Sequence, residues 1–189
     1  MDLTCVEILP PEVQGSWLAV PISPPVALTT PKLCVVQNNL VNELPSSSAW
    51  LVRNLTVGIA PDAAGSRFYD DIHAAEEFVK LGTAALWPFW HGSMFDRQFV
   101  TTLRNTTNGQ FQAEMRINVL FNKQSELQVV DHAGRSLSPR DIAVGTIVVI
   151  DMVLSGMWCS ADRCGMRYTV KTITVLDERE AIAAPCVLD

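Results

Sequence analysis

From Thr146 onward, Val148, Ile150, Met152 and Leu154 alternate with Ile147, Val149, Asp151, Val153 and Ser155, so both faces are largely apolar until Gly156 to Trp158 break the run. A strand apolar on both faces is covered on both, and the break predicts a kinked end. After the turn Cys159-Ser-Ala-Asp-Arg-Cys164 a return strand predicts Met166, Tyr168, Val170, Thr172 and Thr174 on one face, with Arg167, Thr169, Lys171, Ile173 and Val175 on the other. The stretch from Gly145 to Val175 therefore reads as a long hairpin with Trp, Tyr, Arg and Lys along one edge. Such an edge can hold a flexible anion with planar groups, and single-stranded nucleic acid fits that description.

Upstream, Pro at 10, 11, 21, 24, 25 and 31 excludes a helix and predicts only short or edge strands, with Ser16 to Ile22 and Leu33 to Gln37 as candidates. Ala49 to Ala60 reads as a further strand. Phe68, Ile72, Ala75, Phe78, Val79 and Leu81 recur at helical spacing, which predicts a helix from Arg67 to Leu81 stopped by Gly82. Asp70, Asp71, Glu76 and Glu77 then fall on its wet face. Ser93 can cap a second helix running to Arg104, with Met94, Phe95, Phe99, Val100 and Leu103 as its apolar stripe. Between the two, Trp87, Phe89, Trp90 and His91 read as a packed corner. Beyond Asn105 the pattern turns to strands, Gln110 to Phe121 and Leu127 to Asp131, followed by one helical turn capped by Ser138 with Pro139 in first position.

At 189 residues and 48% hydrophobic the chain can form one sizeable domain. No apolar run is long enough to span a membrane and no basic start precedes an apolar stretch, so neither a span nor a secretory signal is expected. Five cysteines at uneven spacings, Cys5, Cys34, Cys159, Cys164 and Cys186, fit unlinked thiols in an intracellular, reducing compartment. The net charge of −6 excludes grip on duplex DNA by bulk charge, but the distribution is uneven. Residues 1 to 103 hold five Lys and Arg against ten acids, residues 104 to 171 eight against six, and residues 172 to 189 one against four. Basic charge thus sits where the strands are, and the tail is acidic.

The phrase Ala143-Val-Gly-Thr-Ile-Val-Val-Ile-Asp-Met-Val-Leu-Ser-Gly-Met-Trp158, its turn, and Cys164-Gly-Met-Arg-Tyr-Thr-Val-Lys-Thr-Ile-Thr-Val175 resemble the C-terminal hairpin of OB-fold-like single-stranded DNA-binding proteins of large DNA viruses and phages. Leu28-Thr-Thr-Pro-Lys-Leu33 is similar to a Thr-Pro strand near the start of those proteins. The resemblance covers about a third of the chain. It departs in the acidic total and in the longer, more polar turn. It implies sequence-tolerant binding of single-stranded DNA in replication or recombination.

The architecture expected is α+β: an OB-like antiparallel β-barrel with N-terminal strands and a two-helix insertion. In chain order these are strands over 1–66, the helical insertion over 67–104, the barrel core over 105–176 and an acidic tail over 177–189, all in a single domain. Phe121, Trp158 and Tyr168 are the candidates to stack on bases. Arg116, Lys123, Arg163, Arg167 and Lys171 are the candidates to meet phosphates. Self-association along the strand and recruitment of replication proteins by the tail are the further partners expected. No catalytic residue is proposed, because no nucleophile elbow, phosphate loop or deaminase motif occurs. No cofactor or metal is expected either: His132, Cys159, Cys164 and Cys186 match no standard zinc spacing, and His73-Ala-Ala-Glu-Glu77 lacks a second His. The alternative reading is a virion or assembly module that uses the same hairpin for protein contacts.

Overall fold

A computed structural model describes residues 1–15, 17–40, 50–86, 98–106, 109–122 and 127–176. Eleven strands run in the order β1 (Glu7–Ile8), β2 (Glu12–Gln14), β3 (Trp17–Thr29), β4 (Leu33–Asn38), β5 (Trp50–Ile59), β6 (Gln98–Val100), β7 (Leu103–Arg104), β8 (Ala113–Asn122), β9 (Gln128–Asp131), β10 (Ile147–Cys159) and β11 (Arg163–Val175). These eleven strands, the α-helix α1 (Ala63–Leu86) between β5 and β6 and a 3-10 turn, Pro139–Asp141, before β10 are the elements of the described residues. Ser138 caps that turn in a reciprocal box with Asp141, as the Ser-Pro spacing predicts.

The sheet is not a closed barrel. Its path runs β1-β3-β10-β4-β5-β8-β7, with β11 beside β10 and pairing β6 and β9 in parallel. The barrel expected over 105–176 with strands added from upstream does not close, and its central strand, β10, takes two partners from the N-terminal half. It pairs β3 along much of its length and β4 at its start. The prolines do not keep β3 short: it runs 13 residues through Pro21, Pro24 and Pro25, pairing β10 at both ends while 22–25 pass outside that ladder.

The two-helix insertion is also corrected, to one longer helix. Asp62 caps α1 by accepting from the Gly65 N–H at 2.7 Å, four residues ahead of the expected start. Gly82 does not stop it: the glycine lies inside α1, facing the movable end of the Ile8 side chain of β1. In place of the second helix, 98–100 and 103–104 are strands, and 93–97 lie outside the described residues, as does the Trp87 to His91 cluster.

The inner face of the sheet carries Leu55, Val57, Ile59, Met115, Ile117, Val148, Ile150, Met152 and Leu154, all at or below 1% exposure. Phe68, Ile72, Ala75 and Val79 of α1 close this core. Glu76 belongs to the same helix face and not to the wet one. It is 4% exposed and accepts from Thr101 Oγ1 at 2.7 Å and from the Thr102 N–H at 2.6 Å, tying α1 to the β6–β7 connection. Glu76→Ala leaves a buried N–H without its acceptor and is expected to cost about 2 to 3 kcal/mol. Urea denaturation reads this as a lowered midpoint, with Glu76→Gln restoring part of it.

Candidate nucleic-acid interface

Two irregularities in the β10–β11 ladder decide which side chains leave the core. Even-numbered residues from Val148 to Leu154 face inward. Leu154 opposes Tyr168 but Gly156 opposes Arg167, so Ser155 is an extra residue and the alternation resets. Met157 and Cys159 then turn inward and Trp158 turns outward. In β11, Val170 opposes Met152 and Thr172 opposes Asp151, which leaves Lys171 as the extra residue. Thr172 and Thr174 consequently share the Arg167 face, and Ile173 joins the core, opposite to the alternation read from the sequence.

Register places Trp158 beside Ala19 of β3 on one side and Gly165 of β11 on the other. A Cβ on Gly165 would lie 3.1 Å from Trp158 Cζ2, so the missing side chain lets the indole lie down on the sheet, half-buried. Trp17, two residues before Ala19, stands on the same face, and the Arg167 guanidinium carbon lies 5.3 Å from its ring centroid. Among the described residues Nε of Arg167 is buried without a hydrogen-bond partner, so the contact with the Trp17 ring is the interaction that positions the head group. Arg163 and Lys171 are exposed at the start and middle of the same strand. Arg163 pairs with the neighbouring Asp162 at 3.5 Å, and an exposed pair of this kind holds little energy.

The face has limits. Asp151 lies further along it, accepting from Thr29 Oγ1 at 2.6 Å, and Phe111 packs over Gly58 with Cys34 and Ile147, covering the outer side where β10 begins. The half nearest the β10–β11 turn therefore combines two indoles with Arg163 and Arg167; Asp162 beside Arg163 and Glu12, opposite Ala19 on β2, are the exposed acids at its edges, and Asp151 lies beyond it.

Of the residues singled out from the sequence, Trp158, Arg163, Arg167 and Lys171 come together here. Arg116 is exposed on β8, on the same side of the sheet through Thr56 and Gln37 but several strands away. Phe121 lies at the β8 end opposite Leu51, and Lys123 falls outside the described residues. Tyr168 is removed from the set. It is 6% exposed, opposite Leu154 in the core, and burial with Glu76 nearby pushes its hydroxyl above the ordinary tyrosine range. Tyr168→Phe is expected to leave oligonucleotide affinity unchanged within twofold in a titration, whereas any base-stacking role for an accessible ring elsewhere on the face predicts a loss on truncation. Trp17 was missed because it sits far from the hairpin in sequence; the signal available was the Trp17 to Val20 run preceding a proline-rich strand. Among the described residues no group of three or more His, Cys, Asp or Glu side chains converges on a metal-sized site.

No protein-family model matches the sequence, and no curated protein matches it. Solved structures do match the fold. One is gp2.5, a single-stranded DNA-binding protein encoded by bacteriophage T7, with TM-score 0.53 and 11% identity over 87% of this chain and 100% of that one. Another is the single-stranded DNA-binding protein from bacteriophage Enc34 in complex with ssDNA, with TM-score 0.52 and 9% identity over 89% and 94% of the two chains. At these identities the likeness is one of fold alone, and the fold of the described residues is a mostly antiparallel sheet with one α-helix.

Proposed function

We propose that this chain binds single-stranded DNA, without strong sequence preference, on the outer face of β3, β10 and β11. The observation that carries the reading is that Trp17, Trp158 and Arg167 share one face, Trp158 by virtue of a bulge without which it would point into the core. Indoles accept any base, and guanidinium and ammonium groups follow the phosphates, so the combination is tolerant of sequence. The shared fold with phage proteins named for this activity supports the same reading.

In this reading the strand lies across the turn-proximal half of the face, past Arg163 and Arg167, with Lys171 at its margin and away from Asp151. The protein acts by coating, not by chemistry, in replication or recombination. With a net charge of −6, binding at each site is moderate and self-association along the strand reinforces it. The acidic segment from Asp177 to Asp189, outside the described residues, recruits a basic partner.

Changing Arg163, Arg167 and Lys171 together to Ala tests the electrostatic part. Each lost phosphate contact is expected to flatten the plot of log affinity against log salt by about 0.7. An unchanged slope would remove this face as the phosphate track.

A further inference from the structure

We propose that Cys159 and Cys164 form a redox pair that closes to a disulfide across the end of the β10–β11 hairpin under mild oxidation. The two oppose each other in the last rung of the ladder. One step further out, the Ser160 N–H donates to the Arg163 carbonyl at 2.7 Å, which makes Ser160 and Arg163 a hydrogen-bonded pair. Hydrogen-bonded and non-hydrogen-bonded rungs alternate in an antiparallel ladder, so Cys159 and Cys164 occupy a non-hydrogen-bonded one. Such a rung brings Cα atoms to about 4.5 Å and side chains close together. A disulfide spans Cα separations of roughly 4.4 to 6.8 Å. Both thiols also point the same way, inward, at 1% and 5% exposure.

Of the other cysteines, Cys186 lies outside the described residues, Cys5 is exposed near the start of the chain and Cys34 packs beside Phe111 and Ile147 on the outer side. Neither Cys5 nor Cys34 shares a rung with another cysteine. The reaction balances with a small disulfide such as oxidised glutathione as the oxidant. The thiolate of one cysteine attacks a glutathione sulfur, forming a mixed disulfide and releasing one glutathione thiolate. The thiolate of the other cysteine then attacks the protein sulfur of that mixed disulfide, forming the Cys159–Cys164 bond and releasing the second glutathione. The two protein thiols lose two protons and two electrons in all, and the oxidant becomes two glutathione molecules. Because both sulfurs are buried, the first attack waits on opening of the final rung, next to the exposed residues Ala161 and Asp162. Closure then joins the strand ends that carry Trp158 and Arg163.

The inference stands on the hairpin geometry and not on DNA binding, and its test reads thiols alone. The full chain is equilibrated in glutathione buffers of rising oxidised fraction, quenched with acid, alkylated, digested and weighed. The expected product is an unalkylated peptide pair, lighter by two hydrogens, containing Cys159 and Cys164, with Cys34 still alkylated. Cys164→Ser should instead trap a glutathione adduct on Cys159, since the resolving thiol is gone. If Cys159 and Cys164 both remain alkylatable in buffers that link them in the urea-unfolded chain, or if both carry glutathione in the unaltered protein, the pair is not redox-active and the proposal fails.

Discussion

Trp158→Ala is expected to weaken binding of single-stranded oligonucleotide by about 5- to 150-fold, the range that loss of one base stack of roughly 1 to 3 kcal/mol produces. The indole sits over Gly165, where a Cβ would come within 3.2 Å of its ring, and packing against the sheet holds it half-buried. Little side-chain freedom remains to be lost on binding. Trp17→Ala should weaken binding comparably for a second reason: it removes the ring on which Arg167 rests and frees the guanidinium to move. Titration of the two single variants and the double variant, each checked for unchanged urea midpoint, separates stacking from folding. Trp158→Phe should recover part of the affinity, because a smaller ring still presents a face. Both indoles neutral to binding would place the nucleic-acid track elsewhere.

Gly156→Ala is expected to destabilise the fold by about 3 kcal/mol or more. Gly156 has φ of +129°, a region L side chains rarely adopt, and a Cβ there would be driven into the Val20 carbonyl oxygen with Pro21 Cα 3.0 Å away. The obstacles are backbone atoms of the paired strand, so no rotamer change relieves them. Relief requires β3 to part from β10 or the bulge to straighten, and a straightened β10 would turn Trp158 inward and Met157 outward. The variant should therefore show a lowered urea midpoint. In any fraction that remains folded, affinity for single-stranded oligonucleotide should fall as well. A midpoint within half a unit of urea molarity of the parent would contradict this account of the bulge.

The hairpin was legible because both of its strands are long, apolar and bounded by turn residues, and strand existence follows from such runs. The Gly156 to Trp158 break was legible as a kink. Its effect on facing was not, since one extra residue leaves the residue types of a strand unchanged while reversing every side chain beyond it. That is why Thr172 and Thr174 read as neighbours of Tyr168 although they stand outside with Arg167; Tyr168 keeps the face the alternation predicts, and read as a surface aromatic because nothing local marks that face as the core side. Phe68, Ile72, Ala75 and Val79 announced α1 by their spacing. Glu76, on the same stripe, read as solvated because nothing local reveals the Thr101 and Thr102 donors that satisfy it. Strand partners were least legible of all. The pairing of β10 with β3 links residues more than a hundred positions apart, so no local pattern in either strand specifies it.

The most direct test of the central claim is fluorescence anisotropy of a labelled oligo-dT of about 30 nucleotides, several times the span of a single binding site. The titration is made at low and moderate salt, with duplex of equal length as competitor. The account predicts saturable binding that duplex fails to displace at equal nucleotide concentration. Affinity should fall with salt along a log-log slope of about −2, as three phosphate contacts on a single strand produce, and binding should collapse in the Trp158→Ala, Arg167→Ala double variant. Absence of binding at tens of micromolar protein in low salt, or equal binding by duplex and by the double variant, would contradict it and return the outer face of β3, β10 and β11 to the alternative of a protein-contact surface.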